Sequence, residues 1–472
     1  MADISALSAE LRILIIEHLD RASDGSLHDR QASILEKEIR GLPKVNAALL
    51  HLSCVNRSFR SLAAPYLFRT LILRNTVKSG MSVNLIAGSK YAKFVKKLEF
   101  VGTSTLTYDG APGPAPRHGE LTDIVLPRSV EDALSNLITL PSLEAVSVEF
   151  TLHGHDGLGS EDEYPDNFLE IRNTHASFMD TVYSALARNP PKKIESLLLS
   201  NLLAQPCPSW ESKAWQTLLN GLTTFHLTLN HVDESWGVAI DGYNTLLPLL
   251  KPMFWDHLPN ITHLTFSPSP NGFLGADFVP IDPAPLSFGA ENFPNLEALC
   301  LDHVFVGAAI VDFMRQHALT LREVRMQHAF VARSNSEDHT YGFNLEPQTT
   351  WAGVFNALTA ANVSFPKLML FEVECSGLEE DDKDEQHPTC AQKFEEHGES
   401  PDLGYALVDY VSAEVIAGFD VEEQRKAIYS GRGRQKRLVK AAEEGVQADF
   451  DQVAYEAFMQ IVRGNRTRLG LA

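Results

Sequence analysis

Residues 258–266 read Leu-Pro-Asn-Ile-Thr-His-Leu-Thr-Phe, and this stretch contains the pattern that decides the fold. Its apolar residues Ile261, Leu264 and Phe266 are separated first by two residues and then by one. Leu264 and Phe266 alternate with polar neighbours, which is typical of a half-buried β-strand. Pro259 ends any preceding helix and leads the chain into an extended conformation. We therefore predict a strand that is entered through a proline turn.

The same apolar pattern recurs throughout residues 68–373. An apolar residue, a proline and one further residue also precede it at 140–142, 293–295 and 365–367, whereas chance gives about one such match in a chain with 25 prolines. Successive motifs start 25 to 51 residues apart. The shorter intervals match a leucine-rich repeat, which holds one strand and one helix per unit, and the longer ones would hold insertions. The nine motifs are Phe68/Leu71/Leu73, Val95/Leu98/Phe100, Leu143/Val146/Val148, Ile194/Leu197/Leu199, Leu222/Phe225/Leu227, Ile261/Leu264/Phe266, Leu296/Leu299/Leu301, Leu321/Val324/Met326 and Leu368/Phe371/Val373.

The residues between the core positions of each strand would point to the opposite face of the sheet. In a curved array of strand–helix units, this face is an extended surface suited to binding a protein. We predict that the residues that bind a target include Glu149, His226, His263, Asp302, Glu323, Arg325, Glu372 and Glu374. For each position taken singly, an ordinary solvated sheet is the alternative.

The composition limits the class of protein. The chain has 472 residues, of which 44% are hydrophobic and 21% charged, so it has enough apolar residues to form a buried core. The 61 acidic residues against 40 basic ones disfavour a nucleic-acid partner, because phosphate contacts need clustered Lys and Arg. Five scattered cysteines suit a reducing compartment. The apolar cluster at 11–16 contains a charge and is too short to span a membrane, so we expect a cytoplasmic or nuclear protein without a membrane partner.

The first 66 residues have helical periodicity. Apolar residues within 11–19 recur on one helical face, and Ser8 is a candidate N-cap. A second amphipathic helix follows over residues 49–62, and we expect it to end before Pro65 because proline interrupts helices.

This N-terminal region resembles an F-box of the kind found in fungal proteins. The resemblance covers about the first 75 residues, and an irregular leucine-rich-repeat-like region commonly follows in that family. It rests on Ala9-Glu10-Leu11-Arg12 leading into residues 13–19, then on Leu52-Ser53-Cys54-Val55-Asn56-Arg57, Phe59-Arg60 and Ala63-Ala64-Pro65-Tyr66-Leu67.

The resemblance implies a substrate receptor of a Skp–cullin–F-box ubiquitin ligase, which is not itself an enzyme. The N-terminal helices of such a receptor bind a Skp-type adaptor, and its C-terminal region holds a protein target. Residues expected to form or support the adaptor interface are Leu7, Leu11, Ile15, Leu19, Leu52, Val55 and Phe59. Neither a cofactor nor a metal is expected. Two alternatives stay open: an interaction scaffold whose N-terminal helices only cap the repeats, and a hydrolase assembled from distant residues.

The predicted fold class is α/β, with an N-terminal helical F-box, an irregular leucine-rich-repeat-like solenoid and a helical C-terminal tail. The four predicted units are residues 1–75 (F-box-like), 76–375 (solenoid), 376–400 (acidic linker) and 401–472 (helical tail). Within the tail, residues 405–416 and 450–462 have helical apolar spacing. For the basic segment 432–440 between them, a nuclear-import signal, a nucleic-acid patch and a solvated helix face are all open interpretations.

Overall fold

The computed structural model describes residues 8, 11–16, 47–108, 119–122, 124–153, 168–190, 193–203, 205–230, 246, 248–267, 289, 291–302, 304, 306–327, 329, 331–333, 351–360, 364–374, 405–407 and 448–471. They form a mixed α/β structure whose main sheet contains nine parallel strands. These strands are β1 (Thr70–Arg74), β2 (Lys97–Tyr108), β4 (Ala145–His153), β5 (Ser196–Leu203), β6 (Thr224–Asn230), β7 (His263–Ser267), β8 (Ala298–Asp302), β9 (Glu323–Gln327) and β11 (Leu370–Glu374). A short strand β3 (Gly119–Thr122) pairs antiparallel with β2.

Each parallel strand lies beside the next one along the chain, in the order β1-β2-β4-β5-β6-β7-β8-β9-β11. All nine apolar motifs coincide with these strands, which confirms the strand prediction. Their inward residues are almost completely buried, as at Leu264 and Phe266, because both alternating apolar positions face the helices.

A repeated backbone contact joins successive units at the start of each strand. The carbonyl oxygen of Glu195, for example, accepts hydrogen bonds from the amides of Thr223 (2.8 Å) and Thr224 (3.1 Å). The same two-donor arrangement occurs at the carbonyls of Arg69, Lys96, Glu144, Thr223, Thr262, Glu297 and Arg322. The strands therefore start in a common register despite the unequal lengths of chain between them.

Helices connect the strands and cover the inward face of the sheet. They are α4 (Val77–Ala87), α5 (Arg128–Ser135), α6 (Phe168–Ala187), α7 (Lys213–Asn220), α8 (residues 248–253), α9 (Ala308–Gln316) and α10 (Trp351–Thr359). Aromatic contacts cross the units: the ring of Trp255 lies 5.8 Å from the rings of both Phe266 and Phe293. Gly80 lets α4 approach α5, since a Cβ there would lie 2.6 Å from the backbone of Ser129.

Among the described residues, three helices precede the sheet: α1 (residues 11–16), α2 (Ala47–Val55) and α3 (Arg57–Leu67). The prediction of one helix over 49–62 that stops before Pro65 is wrong on both counts. Asn56 is extended (φ −159°, ψ 174°) and its side chain accepts a hydrogen bond from the amide of Phe59 (2.9 Å), so it ends α2 and caps α3. Pro65 lies inside α3, where its missing N–H removes only one bond close to the helix end.

The N-terminal helices have a hydrophobic cluster of their own. It consists of Ile16, Leu49, Phe59 and Ala63, and it is separate from the core of the sheet. Residues 70–74 belong to the sheet, because β1 pairs with β2 over its whole length. The change from one unit to the other therefore occurs before residue 70, although 75 was the predicted boundary.

The C-terminal region differs in part from the expected helical tail. Residues 405–407, expected to be helical, form a strand β12 (Tyr405–Leu407) that pairs in parallel with β10 (Val331–Arg333). Here, backbone pairing with a strand far away in the sequence outweighs the helical spacing of a few apolar residues. The later apolar stretch does form a helix, α11 (Ala448–Arg468). The predicted linker 376–400 and the basic segment 432–440 lie outside the described residues.

Candidate functional site

The first candidate surface is a stripe of apolar side chains on α1. Leu11, Leu14 and Ile15 lie within about 100° of one another around the helix axis. All three are exposed, Leu14 by 58% of its surface. On α2, Leu50 and Val55 are also exposed. We call these five side chains the N-terminal apolar surface. Exposed apolar groups concentrated in one small unit are typical of a protein interaction site.

The polar contacts of α1 explain which way this stripe faces. The amide of Leu11 bonds to the Ser8 hydroxyl (3.4 Å), which confirms Ser8 as the N-cap. Arg12 donates from Nη1 to the Ser58 hydroxyl (2.6 Å), and its guanidinium lies 5.9 Å from the centre of the Phe59 ring. The side of α1 that carries Arg12 and the buried Ile16 therefore packs on α3, and the Leu11 side is directed away from it.

The residues expected at an adaptor interface fall into different environments. Leu11, Ile15 and Val55 are exposed, and Leu52 is half-buried against the N-terminal cluster. Phe59 has 0% exposure, so a direct contact between its ring and a partner is ruled out in this conformation. Its role is to support the surface, because it is the largest side chain of the cluster under α1. Leu7 and Leu19 lie outside the described residues.

Leu14 and Leu50 were not among the residues expected to bind a partner. Leu14 was recognised as apolar, and its spacing of three residues from Leu11 was the available signal. For Leu50 no such signal existed, because Leu49 and Leu50 are adjacent and only the structure shows that Leu49 is the buried one.

The second candidate surface is the face of the sheet opposite the helices, which we call the open face. Parallel register places Leu198, His226, Thr265, Cys300 and Arg325 side by side on successive strands. These outward residues keep part of their surface exposed, whereas the alternating inward ones are buried. The eight residues predicted to bind a target, Glu149, His226, His263, Asp302, Glu323, Arg325, Glu372 and Glu374, all occupy outward positions of the parallel strands.

Several polar groups on the open face contact one another. Arg325 Nε lies 3.3 Å from Glu372 Oε2, and the Ser267 hydroxyl donates to Asp302 Oδ2 (2.9 Å). Burial, with a smaller contribution from the negative charge of Asp302, raises the pKa of the Cys300 thiol to about 11. This thiol is therefore protonated near neutral pH and is a poor nucleophile.

One pair in the core has the elements of a nucleophile and a base. The Ser104 hydroxyl and His175 Nδ1 are 3.1 Å apart, between β2 and α6. Both side chains are buried, and in the described part of the chain no carboxylate bonds to His175. We interpret the pair as a hydrogen bond that satisfies two polar groups inside the core.

Groups of three or more His, Cys, Asp or Glu side chains arranged to hold a metal ion do not occur among the described residues. Within those same ranges, every helix is too short or too polar to cross a bilayer.

Comparisons with known proteins give limited information. The chain matches no protein-family model and no curated protein sequence. Among solved structures, it is similar to a chain in the crystal structure of the Rad7 and Elc1 complex in yeast. The sequence identity is 9%, the match covers 78% of this chain and 83% of that chain, and the TM-score is 0.23. A likeness at this level defines neither a family nor a function.

Proposed function

We propose that this protein is the substrate-recognition subunit of a Skp–cullin–F-box ubiquitin ligase, in the cytoplasm or the nucleus. The N-terminal helices would be an F-box that binds a Skp-type adaptor. The parallel sheet and its helices would be an irregular leucine-rich-repeat-like solenoid that binds a protein target. The observation that carries the proposal is the exposure of Leu11, Leu14 and Ile15 on a helical unit with its own hydrophobic cluster.

The energetics of the N-terminal apolar surface support a partner. Full burial of one Leu or Ile side chain contributes about 1.5–3 kcal/mol. Covering Leu11, Leu14 and Val55, each about half exposed or more, would therefore supply a large part of the binding free energy of an ordinary complex. Within the described part of the chain, the same residues are not members of the buried cluster beneath them, which Ile16, Leu49 and Phe59 already form.

In the proposed mechanism, the receptor brings a target close to the conjugating enzyme and supplies no catalytic group itself. One end of the receptor would be fixed on the adaptor, and the open face would hold a target near the ubiquitin-conjugating enzyme. Holding two reactants together removes translational and rotational freedom before the reaction, which lowers the barrier without any catalytic group on the receptor.

The second candidate function is an interaction scaffold without a ligase connection. The observation that favours it is that α3 leads directly into β1, and that Phe68 between them packs against the core of the sheet. In that case α1, α2 and α3 would only cap the first strand-helix unit, as terminal repeats require.

Adaptor capture separates the two candidates. Purified full-length protein is mixed with a Skp-type adaptor, and binding is measured by calorimetry. We expect Leu11→Asp and Leu14→Asp each to weaken binding by about tenfold or more, since each places a charge in an apolar contact. The matched control is Leu319→Asp, which makes the same change at a side chain that is 65% exposed in the loop after α9.

The control is expected to bind like wild type. Absence of wild-type binding to every Skp-type adaptor tested would leave the scaffold as the better proposal. An equal loss of adaptor affinity in all three variants would indicate nonspecific binding and not a defined surface. The target itself is sought by affinity capture with and without proteasome inhibition, comparing wild type with Leu11→Asp.

A further inference from the structure

The charges of the open face are separated along the sheet. At one end, the outward positions of β1 and β2 carry Arg74, Lys97 and Glu99. The basic residues Arg69 and Lys96 directly precede the two strands, and Lys96 is paired with Glu144 (3.1 Å). At the other end, β8, β9 and β11 carry three carboxylates and one guanidinium, which are Asp302, Glu323, Glu372 and Arg325. Glu297 and Arg322, which directly precede β8 and β9, are paired with each other (3.4 Å). One end of the face is therefore basic and the other acidic.

Between these ends lies an uncharged stretch that can form hydrogen bonds. The outward positions of β5, β6 and β7 provide six hydroxyl groups, two imidazoles and one aliphatic side chain. They are Ser196, Ser200, Thr224, Thr228, Thr265, Ser267, His226, His263 and Leu198. β4, next to the basic end, adds one carboxylate, Glu149.

The charges at the two ends of the face are too far apart to interact with each other. Seven strand spacings separate β1 from β9, which corresponds to about 35 Å. The screening length at physiological salt is about 8 Å, so the opposite charges do not cancel each other across the face.

Each end has an exposed charge that is available to a partner. Lys97 is paired with Glu99, and Arg325 with Glu372. Arg74 at the basic end and Glu323 at the acidic end are both exposed, and neither forms an ion pair within the part of the chain that the structure describes.

We propose that the open face binds an extended protein segment with a complementary charge order: acidic residues over β1 and β2, uncharged polar residues over β5 to β7, and basic residues over β9 and β11. This inference rests on the proposed target-binding role and specifies the chemistry of the target. An extended chain covers about 35 Å with about ten residues, so the two charged blocks of the target are that far apart in sequence.

The test uses synthetic peptides and the full-length protein. One fluorescent peptide has a block of four Glu, a spacer of about ten Gly, Ser and Thr residues, and a block of four Lys. Its control has the same composition with Glu and Lys alternating, so net charge and length are unchanged. Fluorescence anisotropy is expected to show that the block peptide binds about fivefold more tightly or better, and that binding weakens as salt is raised.

Charge reversal on the protein locates the binding. We expect Arg74→Glu and Glu323→Lys each to weaken binding of the block peptide by about threefold, a typical value for one exposed charge. The matched controls Lys78→Glu and Asp132→Lys make the same reversals on exposed positions of α4 and α5. These controls are expected to bind like wild type.

The proposal is overturned if the alternating peptide binds as tightly as the block peptide, or if neither peptide binds. It is also overturned if the controls on α4 and α5 lose as much affinity for the block peptide as Arg74→Glu and Glu323→Lys. Adaptor capture with the same preparation keeps the two proposals apart. Retained adaptor binding with failed peptide binding would refute only the charge order of the target.

Discussion

At the scale of single residues, His175 is a titratable side chain that is buried in the core. Its ring lies against the Phe150 ring (6.0 Å), and among the described residues the Ser104 hydroxyl is its hydrogen-bond partner. Burial lowers the pKa of His175 from 6.5 to about 4, because a positive ring would lose its hydration in the core. His175 is therefore neutral in the folded protein at physiological pH.

This burial predicts a loss of stability in acid. Below pH 6.5 the unfolded chain gains a proton on His175 that the folded chain does not bind until about pH 4, so stability falls across this window and is unaffected above it. The limiting loss is about 3 kcal/mol. Urea unfolding at pH 7 and pH 4.5 should show a smaller difference for His175→Gln than for wild type.

The control for this measurement is His263→Gln on the exposed side of β7. It tests whether the loss of any imidazole, and not only of the buried one, reproduces the effect. His317, whose pKa burial also lowers, remains in both variants and contributes the same slope. An unchanged pH dependence in His175→Gln would show that His175 is not the group responsible.

The side of the fold on which a residue lies could be predicted from the sequence only where a pattern repeats. The outward position of Glu323 follows from the buried residues Val324 and Met326, because alternation in a strand fixes both faces at once. The burial of Phe59 did not follow, since a helix surface can be covered by either the same chain or a partner. Only the packing of Ile16 against it distinguishes the two.

At the scale of elements, α11 closes the far end of the sheet. The rings of Phe458 and Phe371 are 4.8 Å apart, and Asn465 donates two hydrogen bonds to the carbonyls of Phe365 (2.7 Å) and Leu368 (2.9 Å). These carbonyls lie in the turn before β11, so the side chain of Asn465 satisfies two acceptors beside the last strand of the sheet. This helix therefore caps the far end of the sheet.

The cap predicts a large effect from one core residue of α11. Phe458 is fully buried and also contacts the ring of Phe355 (6.0 Å). We expect Phe458→Ala to lower the free energy of unfolding by about 3–5 kcal/mol. Val453→Ala, on the same helix at 70% exposure, should cost about 0.5 kcal/mol or less. Similar midpoints for both variants in urea would contradict the capping role.

Elements differed in how far the sequence predicted them. The nine strands were predictable because proline turns and alternating burial repeat through the chain. The break between α2 and α3 was missed, because apolar spacing continues across Asn56 and only its capping bond interrupts the helix. β12 was missed since its partner β10 is about 70 residues away in sequence, beyond any local signal.

At the scale of the whole molecule, the described residues form two hydrophobic clusters and not one. The larger contains members from Leu71 to Val462, and the smaller holds α1, α2 and α3 together. The two meet at residues 66–68, where Tyr66 and Leu67 pack on the small cluster. Phe68 packs on the large one and stacks on the ring of Tyr91 (4.5 Å). A proposed adaptor unit that is stabilised separately can bind its partner without disturbing the sheet.

Separate clusters predict separate unfolding, which hydrogen–deuterium exchange measured by mass spectrometry can resolve. Phe59→Ala removes the largest side chain of the small cluster, at a cost of about 3–5 kcal/mol. Amide exchange in α2 and α3 should therefore accelerate by more than about tenfold, while exchange in β5 to β8 stays as in wild type. Leu264→Ala in β7 is the reciprocal control and should accelerate exchange in the neighbouring strands but not in α2 and α3. If either variant accelerated both regions alike, the two clusters would unfold as one unit, and adaptor binding would then be coupled to the stability of the open face.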